Sequence, residues 1–305
     1  MSPRGKKILT YVGYGAFFFF ATLLFIYSTF PLEAVQGRIN KLVQQQMPNL
    51  SIAFDRASPY RLSGLEVDDL SVTIQGAGAT DPATTIHLDH VKARINLLPL
   101  LRKTYEVSYD VTLGDANIVG VAKTGGEQHG LVLDMKDLDL GKLPAAVYKM
   151  MGDTRTMGVG NANIDVTLDL ADPKKSNGKG TFELKKAGVA AITLKNVHPM
   201  MPGDLTLPAI DLGAIDLSFE IKDGNVQVKK FQSVGADLST RVTGEIQLRK
   251  QLLTSSLNLV VEYKVNEAFV QKNPKLAILA AGKKNGDGFA TVRLTGTLAS
   301  PVPAM

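Results

Sequence analysis

Apolar and polar residues alternate along most of the chain beyond Pro48. Successive residues of a strand point to opposite faces of a sheet, so a period of two predicts β-strands with one apolar face. The alternation is clearest in five runs, which span residues 162–170, 215–221, 240–248, 257–261 and 290–294. Weaker runs predict further strands at 51–57, 65–75, 86–96, 105–113, 118–123 and 131–135.

Turn signals between these runs predict an antiparallel sheet. Asp223-Gly224 separates two alternating runs, and both residues adopt positive φ at low cost, which is typical of a tight hairpin. Asn177-Gly178 and Asp287-Gly288 indicate similar turns. Short connections favour pairing of consecutive antiparallel strands over units in which helices link parallel strands. The expected fold is mainly β, an antiparallel meander with short helices at 97–102, 144–151 and 274–281.

One face of this sheet is predicted to be apolar over several strands. An apolar face of this size has to be buried against something. The alternation leaves two arrangements open, a closed core and an accessible apolar groove. The candidate residues of this face are Ile164, Val166, Leu168, Leu217, Phe219, Val242, Ile246, Leu257, Leu259, Val292 and Leu294.

The start of the chain follows a different pattern, which predicts a membrane anchor. No charged residue occurs from Ile8 to Leu32, and about 20 apolar residues suffice for a helix to cross a ~30 Å hydrocarbon layer. A cleaved secretory signal is the alternative, but its apolar region is usually only about 7–15 residues long, and the bulky Phe30 stands where cleavage needs a small residue. We therefore predict an uncleaved transmembrane signal-anchor helix over residues 8–30. The residues assigned to it are Ile8, Phe17, Phe18, Phe19, Phe20, Leu23, Leu24, Phe25, Ile26 and Tyr27.

The distribution of charge gives this anchor an orientation. The net charge is +5, but Arg4, Lys6 and Lys7 precede the anchor without any acidic residue, so the rest of the chain carries only +2. Basic residues ahead of a span stay in the cytoplasm. The predicted organisation is a cytoplasmic N-terminus (1–7), the anchor (8–30), a linker helix (31–48) and a β domain (49–305) across the membrane. In a bacterium this is a single-pass inner-membrane protein with a periplasmic β domain.

The linker follows from a helical pattern just after the anchor. Apolar residues recur at helical spacing over residues 32–46, and Pro48 ends the segment. This predicts an amphipathic helix. It either packs on the sheet or lies on the lipid surface.

Residue types that hold metals or act as nucleophiles are sparse. The chain contains no cysteine, which excludes disulfides, thiolate zinc sites and cysteine nucleophiles. His87 and His90 flank Asp89, but strand spacing places the two rings on opposite faces unless a bulge intervenes. A second group, Asp134, Asp137 and Asp139, lacks the glycine and glutamate of a calcium-binding EF-hand and is interpreted as an exposed acidic loop.

Glycine-rich and basic segments do not complete a ligand-binding motif. Gly76-Ala77-Gly78 and Gly158-Val159-Gly160 lack the spacing of phosphate-binding loops and are interpreted as turns. Lys174-Lys175 and Lys283-Lys284 lack the interleaved aromatic residues on which nucleic-acid bases stack. We therefore expect no catalytic residue, no cofactor, no metal and no nucleic-acid partner, and the protein is not expected to be an enzyme.

Two parts of the chain resemble known envelope proteins. A strand containing Gly64-Leu65-Glu66-Val67, then an alternating strand that leads into Leu97-Leu98-Pro99-Leu100-Leu101, resembles the AsmA-like group. Residues 219–248, with Thr243-Gly244-Glu245-Ile246, and the terminal Leu294-Thr295-Gly296-Thr297-Leu298 resemble the type II secretion system protein N family. The resemblance extends over almost the whole chain and rests on turns and strands. It implies a single transmembrane helix followed by an elongated, curved antiparallel β-sheet.

These resemblances imply two functions. The first is a non-catalytic accessory subunit of the type II secretion pathway, which acts in assembly or tethering and contacts inner-membrane lipid and other secretion subunits. The second is a lipid-binding or lipid-transfer module whose apolar groove holds the acyl chains of phospholipid or lipid A. Ten-odd strands at ~4.8 Å spacing reach only about 50 Å, so this chain would be shorter than bridge-like lipid carriers.

Overall fold

The computed structural model describes residues 32–46, 48–61, 63–75, 83–143, 155–194, 205–274 and 284–304, together with Tyr148 and six residues between 14 and 25. Fifteen of the strands in these segments form one antiparallel sheet, and two form a separate hairpin. The strands are β1 (Leu50–Ala53), β2 (Arg56–Tyr60), β3 (Gly64–Ile74), β4 (Thr84–Ile95), β5 (Tyr105–Leu113), β6 (Ala116–Gly125), β7 (Gln128–Asp139), β8 (Thr156–Asp169), β9 (Asn177–Val189), β10 (Ile192–Leu194), β11 (Leu205–Leu207), β12 (Ile210–Lys222), β13 (Asn225–Val234), β14 (Leu238–Gln247), β15 (Ser256–Val265), β16 (Ala290–Thr297) and β17 (Ser300–Ala304).

The main sheet is a meander. Strands β3 to β9 pair in sequence order, β9 pairs with β12, and β12 to β17 again follow sequence order. Strands β1 and β2 both pair with β3, along its second and first half respectively. The hairpin β10–β11 is inserted between β9 and β12. The prediction of a mainly β, antiparallel fold is therefore confirmed.

Three α-helices accompany the described strands: α1 (Leu32–Gln46), α2 (Leu97–Leu100) and α3 (Glu267–Lys272). Helix α1 has the bounds that the sequence predicts and packs against β1 and β2. The amide of Asn40 in α1 donates to the carbonyl of Ile52 (2.6 Å) and accepts from its N–H group (2.7 Å), as in a linker helix packed on a sheet. Helix α2 is shorter than predicted. Helix α3 was not predicted, and Asn266 caps its first turn by accepting from the N–H of Ala268 at 2.9 Å.

Four other sequence predictions fall wholly or mostly on residues outside the described segments. The predicted helix at 144–151 is represented only by Tyr148, and the one at 274–281 only by Pro274. Gly76-Ala77-Gly78 is not described. The anchor is represented by helical Tyr14, Phe17, Phe18, Ala21, Thr22 and Phe25, and the described part of the chain contains no helix long and apolar enough to span a membrane.

Several strand predictions need correction. The predicted strand 51–57 is two strands, β1 and β2. Strand β9 was missed: Asn177-Gly178, predicted as a turn, lies at its start, and the turn is made by the preceding residues, which include a 3-10 turn at Pro173–Lys175. Gly158-Val159-Gly160 lies inside β8, where Gly158 has a φ of 130° beside a register shift, rather than in a turn. Asp134 and Asp137 lie in β7, which ends at Asp139, so the three aspartates do not form a loop.

The Asp223-Gly224 prediction is confirmed. The two residues join β12 to β13 with φ values of 51° and 75°, as a type I′ hairpin turn requires. Asp287-Gly288 likewise forms a turn, closed by a 3.0 Å bond from the N–H of Gly288 to the carbonyl of Asn285.

The turn after β8 is organised by the carboxylate of Asp169. It accepts from the N–H groups of Asp172 (2.8 Å) and Ala171 (3.1 Å) and from the side-chain amide of Gln128 (3.3 Å). These bonds, led by the one from Asp172, hold the pKa of Asp169 below its ordinary value of 3.8. The ionised form is thus favoured in the folded protein.

We expect this turn to contribute a pH-dependent part of the stability. Because the pKa is lower in the folded than in the unfolded chain, the contribution is complete above the ordinary aspartate pKa and is lost as the pH falls through the folded value. Asp169→Asn keeps an acceptor but does not titrate. The variant should melt below wild type near neutrality, and the gap should narrow as thermal melts are recorded toward about pH 3. A gap that stays constant with pH would contradict this role.

Candidate functional site: an uncovered apolar sheet face

The register of the main sheet brings apolar residues into rows. Residues paired between antiparallel strands share a face, so a chain of pairs marks one face across the sheet. One such row crosses from β8 to β16 through Ile164, Gly180, Phe219, Val228, Gly244, Leu259 and Leu294. A second row crosses from β8 to β15 through Val166, Gly178, Ile221, Val226, Ile246 and Leu257.

Shorter rows place the remaining candidates on the same face. Val242 pairs with Val261, which pairs with Val292. Leu217 pairs with Phe182, and Leu168 extends the alternation of Ile164 and Val166 along β8. The structure therefore puts all eleven candidate residues on one side of the main sheet. We call this side, from β3 to β16, the apolar face.

The apolar face extends further than the sequence predicts. The first row continues from Ile164 back to Leu133, Gly120, Tyr109, Ala93 and Leu65 on strands β7 to β3. These strands show the same alternation in the sequence. The pairing register, however, determines on which side of the sheet the apolar residues of each strand lie. At ~4.8 Å per strand, the face is about 50 Å wide between β3 and β16.

Two aromatic rings lie over glycines of this face. The ring of Phe219 covers Gly180, where a Cβ would approach its Cε1 and Cζ atoms to 2.5 Å. The Tyr109 ring covers Gly120 in the same way, and its hydroxyl donates to the carbonyl of Val132 at 3.4 Å. Burial there raises the pKa of the Tyr109 phenol. These rings fill the gaps that the glycines leave, so the apolar surface is continuous.

No described element packs across the apolar face. In the described segments, strands contact mainly their sheet neighbours, α1 contacts β1 and β2, α2 contacts β5, and the 3-10 turn at Pro173–Lys175 contacts β8. Of the eleven candidates only Leu257 is buried, while the other ten remain half-buried. Only twelve apolar residues are buried in the part of the chain described, and four of them are alanines. Leu184 and Ile221, on the same side, are buried as well, and over the rest of the face the contacts of the described residues favour the open arrangement.

The opposite face is polar and ion-paired. Lys229 contacts Glu220 at 2.9 Å and Lys230 contacts Asp216 at 3.0 Å, both across a bulge between β12 and β13. The Lys229 ammonium holds the pKa of the Glu220 carboxyl below its ordinary value. An open groove of about 820 Å³ lies here, lined by charged residues that include Lys179 and Asp165.

The histidine and aspartate candidates do not converge. His87 bonds to the hydroxyl of Ser71 at 3.0 Å, and Asp89 accepts from the N–H of Gly114. The ring of His90 lies between two carboxylates, with Nδ1 2.6 Å from Asp68 and Nε2 3.1 Å from Glu66. Because the carboxylates contact opposite nitrogens of the ring, the three groups do not share a position for one ion. Among the residues described, no group of three or more histidine, aspartate or glutamate side chains is placed to hold a metal.

The acidic and basic candidates form surface contacts. Lys136 lies 3.9 Å from Asp134, and Lys142 lies 3.7 Å from Asp139 and 3.2 Å from Asp115. The carboxylate of Asp115 raises the pKa of Lys142. Lys174 and Lys175 are exposed, and Lys284 forms an isolated bridge with Ala290, whereas Lys283 lies outside the described segments.

Compared with known proteins, the chain matches no family model, no curated protein and no solved structure.

Proposed function

We propose that this chain is a non-catalytic, membrane-anchored protein of the bacterial envelope whose apolar face binds lipid acyl chains. The observation that carries the proposal is the apolar face itself, which is continuous from β3 to β16 and has no described element packed across it. The largest apolar patch of a typical soluble monomer is about 300–600 Å², and larger ones mark binding surfaces. The stretch from β8 to β16 alone measures about 29 Å across the strands and about 20 Å along them, which reaches this limit before β3 to β7 are added.

The dimensions of the face suit acyl chains. Half of a ~30 Å hydrocarbon layer corresponds to one leaflet, so an acyl chain is about 15 Å long. The face therefore has room for several chains side by side. Aliphatic and aromatic side chains match such tails without needing any polar group to be satisfied. The anchor predicted over 8–30 would hold the face beside the inner membrane, a source of phospholipid.

A second candidate function is the accessory role in type II secretion that the sequence resemblance implies. The polar-face groove supports it, because alternating charges at Lys179, Glu220 and Lys229 suit a protein partner better than a lipid tail. The edge of β17 is less suited to pairing with another strand, since Pro301 and Pro303 lack N–H groups.

One experiment separates the two. The full-length protein is purified from bacterial membranes in a mild detergent, and the material is divided for lipid extraction and for identification of bound proteins by mass spectrometry. The lipid proposal predicts phospholipid or lipid A in at least stoichiometric amount after washing, above that of an unrelated single-span protein purified identically. Secretion subunits without such lipid would overturn it in favour of the accessory role.

A further inference from the structure

The loop between β4 and β5 exposes leucines to an unusual degree. Residues 97–103, which we call the apex, comprise α2 and the turn that follows it. The side chains of Leu98 and Leu101 are 80% and 83% exposed, and Leu97 is 52% exposed. Leucines this open to solvent, three in one short loop, are costly unless another phase receives them.

Four backbone N–H groups in and directly after the apex are bonded within the loop. The N–H groups of Leu101, Arg102 and Lys103 donate to the carbonyls of Leu98, Pro99 and Leu100 at 2.9–3.2 Å, and that of Thr104 donates to Pro99 at 3.1 Å. A loop that enters an apolar phase must not carry unpaired backbone groups. The apex meets this requirement for these four N–H groups.

The charge next to these leucines is positive. Arg102 and Lys103 are exposed, no acidic residue occurs from Ile95 to Tyr105, and neither cation takes part in an ion pair among the described residues. Glu106, the acidic residue nearest to the apex in the sequence, is occupied by the amide of Asn96 at 2.5 Å and by Lys123 at 3.4 Å. Leucines flanked by free cations are complementary to an apolar layer covered by anionic headgroups.

The apex also lies at the end of the sheet toward which α1 points. Strand β1 begins opposite Ile74 and runs toward the end where Gly64 pairs with Arg94, beside the apex. Asn40 is six residues, about 9 Å, before the end of α1, yet it contacts Ile52, the third residue of β1. Helix α1 therefore runs antiparallel to β1, and its N-terminal end, which follows the anchor segment, is directed to the apex end.

We propose that the apex docks on the surface of an anionic phospholipid bilayer, with Leu98 and Leu101 in the interface and Arg102 and Lys103 at the headgroups. This deepens the proposed function, on whose membrane anchor it rests. It would orient the first strands of the apolar face toward the lipid that the face takes up.

The absence of tryptophan and cysteine from the sequence allows a direct test. Leu98→Trp gives the full-length protein a single tryptophan at an exposed position. The protein is reconstituted in phosphatidylcholine vesicles with and without phosphatidylglycerol, and fluorescence is quenched with acyl-brominated lipid. Val234→Trp, at a 59% exposed residue on the opposite end of the strands, is the matched control.

The proposal predicts a blue-shifted emission from the Leu98→Trp protein. Brominated lipid should quench this emission much more than that of the Val234→Trp protein, and more strongly in anionic vesicles. Adding Arg102→Gln and Lys103→Gln to the Leu98→Trp protein should weaken docking. The equilibrium constant between the docked and the undocked apex should fall by roughly fivefold for each charge removed.

Two results would overturn the docking of the apex. One is equal quenching of the Leu98→Trp and Val234→Trp proteins, and the other is equal quenching of the Leu98→Trp protein in neutral and anionic vesicles. Lipid extracted with the Leu98→Trp protein reports on the apolar face separately, so failure of the docking is distinguishable from failure of the proposed function.

Discussion

Val242→Asp should reduce the lipid that co-purifies with the full-length protein by at least about tenfold, while lowering its stability by only about 1–2 kcal/mol. Val242 lies on the apolar face in the middle of β14, where it pairs with Val261 of β15, and its side chain is half-buried. A carboxylate at this position would stay hydrated in the lipid-free protein and would lose its hydration only when acyl chains cover the face. The cost therefore appears in lipid binding more than in folding.

Thr243→Asp is the matched control for this change. Thr243 is the next residue of β14, is exposed on the polar face and receives the same charge in the same strand. We expect it to keep its lipid and to show a comparable, small loss of stability. The measurements are lipid quantification by mass spectrometry and the thermal midpoint of each purified variant.

A buried position calibrates the scale of the stability loss. Phe54, between β1 and β2, is 6% exposed, and Phe54→Asp should cost several kcal/mol because the charge is buried in the folded protein itself. If Val242→Asp were as damaging as Phe54→Asp, the apolar face would be a closed core. If Val242→Asp melted like Thr243→Asp but kept its lipid, the lipid would be bound elsewhere.

The alternation of the sequence predicts many of the strands well. In a half-buried strand, the polarity of each residue indicates whether its side chain lies on the apolar or the polar face. Strand β5 has the predicted bounds, and β3, β4 and β14 differ from the prediction by one or two residues at each end. One strand that the alternation misses has glycines at its apolar positions. Gly178 and Gly180 hide the alternation of β9, and the side chain that fills the gap, Phe219, comes from the neighbouring strand. A single strand does not contain that information.

The openness of the apolar face is also absent from the sequence pattern. The two-residue period indicates that Ile246 and Leu259 lie on a face with other apolar residues. The same pattern, however, fits both a sandwich of two sheets and a single-layer sheet. The difference depends on whether another element returns across the sheet. Likewise, Pro301 and Pro303 disfavour a strand, because proline has no N–H group to donate. Strand β17 nevertheless forms, since alternate N–H groups of an edge strand point away from the sheet and do not pair with the neighbouring strand.

Gly244→Ala should destabilise the sheet by about 2–4 kcal/mol, the largest effect we expect from adding one methyl group. Gly244 joins the first row of the apolar face and has a φ of 124°, which side chains other than glycine rarely adopt. A Cβ there would collide with the carbonyl oxygen of Asn258 and lie 2.9 Å from the Cα of Leu259, both in the paired strand β15. Backbone atoms in a sheet cannot yield as a flexible side chain can, so the strands would have to separate locally.

Gly286→Ala tests whether this loss is specific to the sheet. Gly286 lies exposed in the turn before β16, and a Cβ there would meet nothing within 4 Å. We expect its urea midpoint to match that of wild type, whereas that of Gly244→Ala falls. Because Gly244 stands between Val228 and Leu259, its loss should also break the apolar row and weaken lipid retention. Wild-type stability of Gly244→Ala would mean that β14 does not approach β15 as closely as described, and the continuity of the apolar face between these strands would have to be rejected.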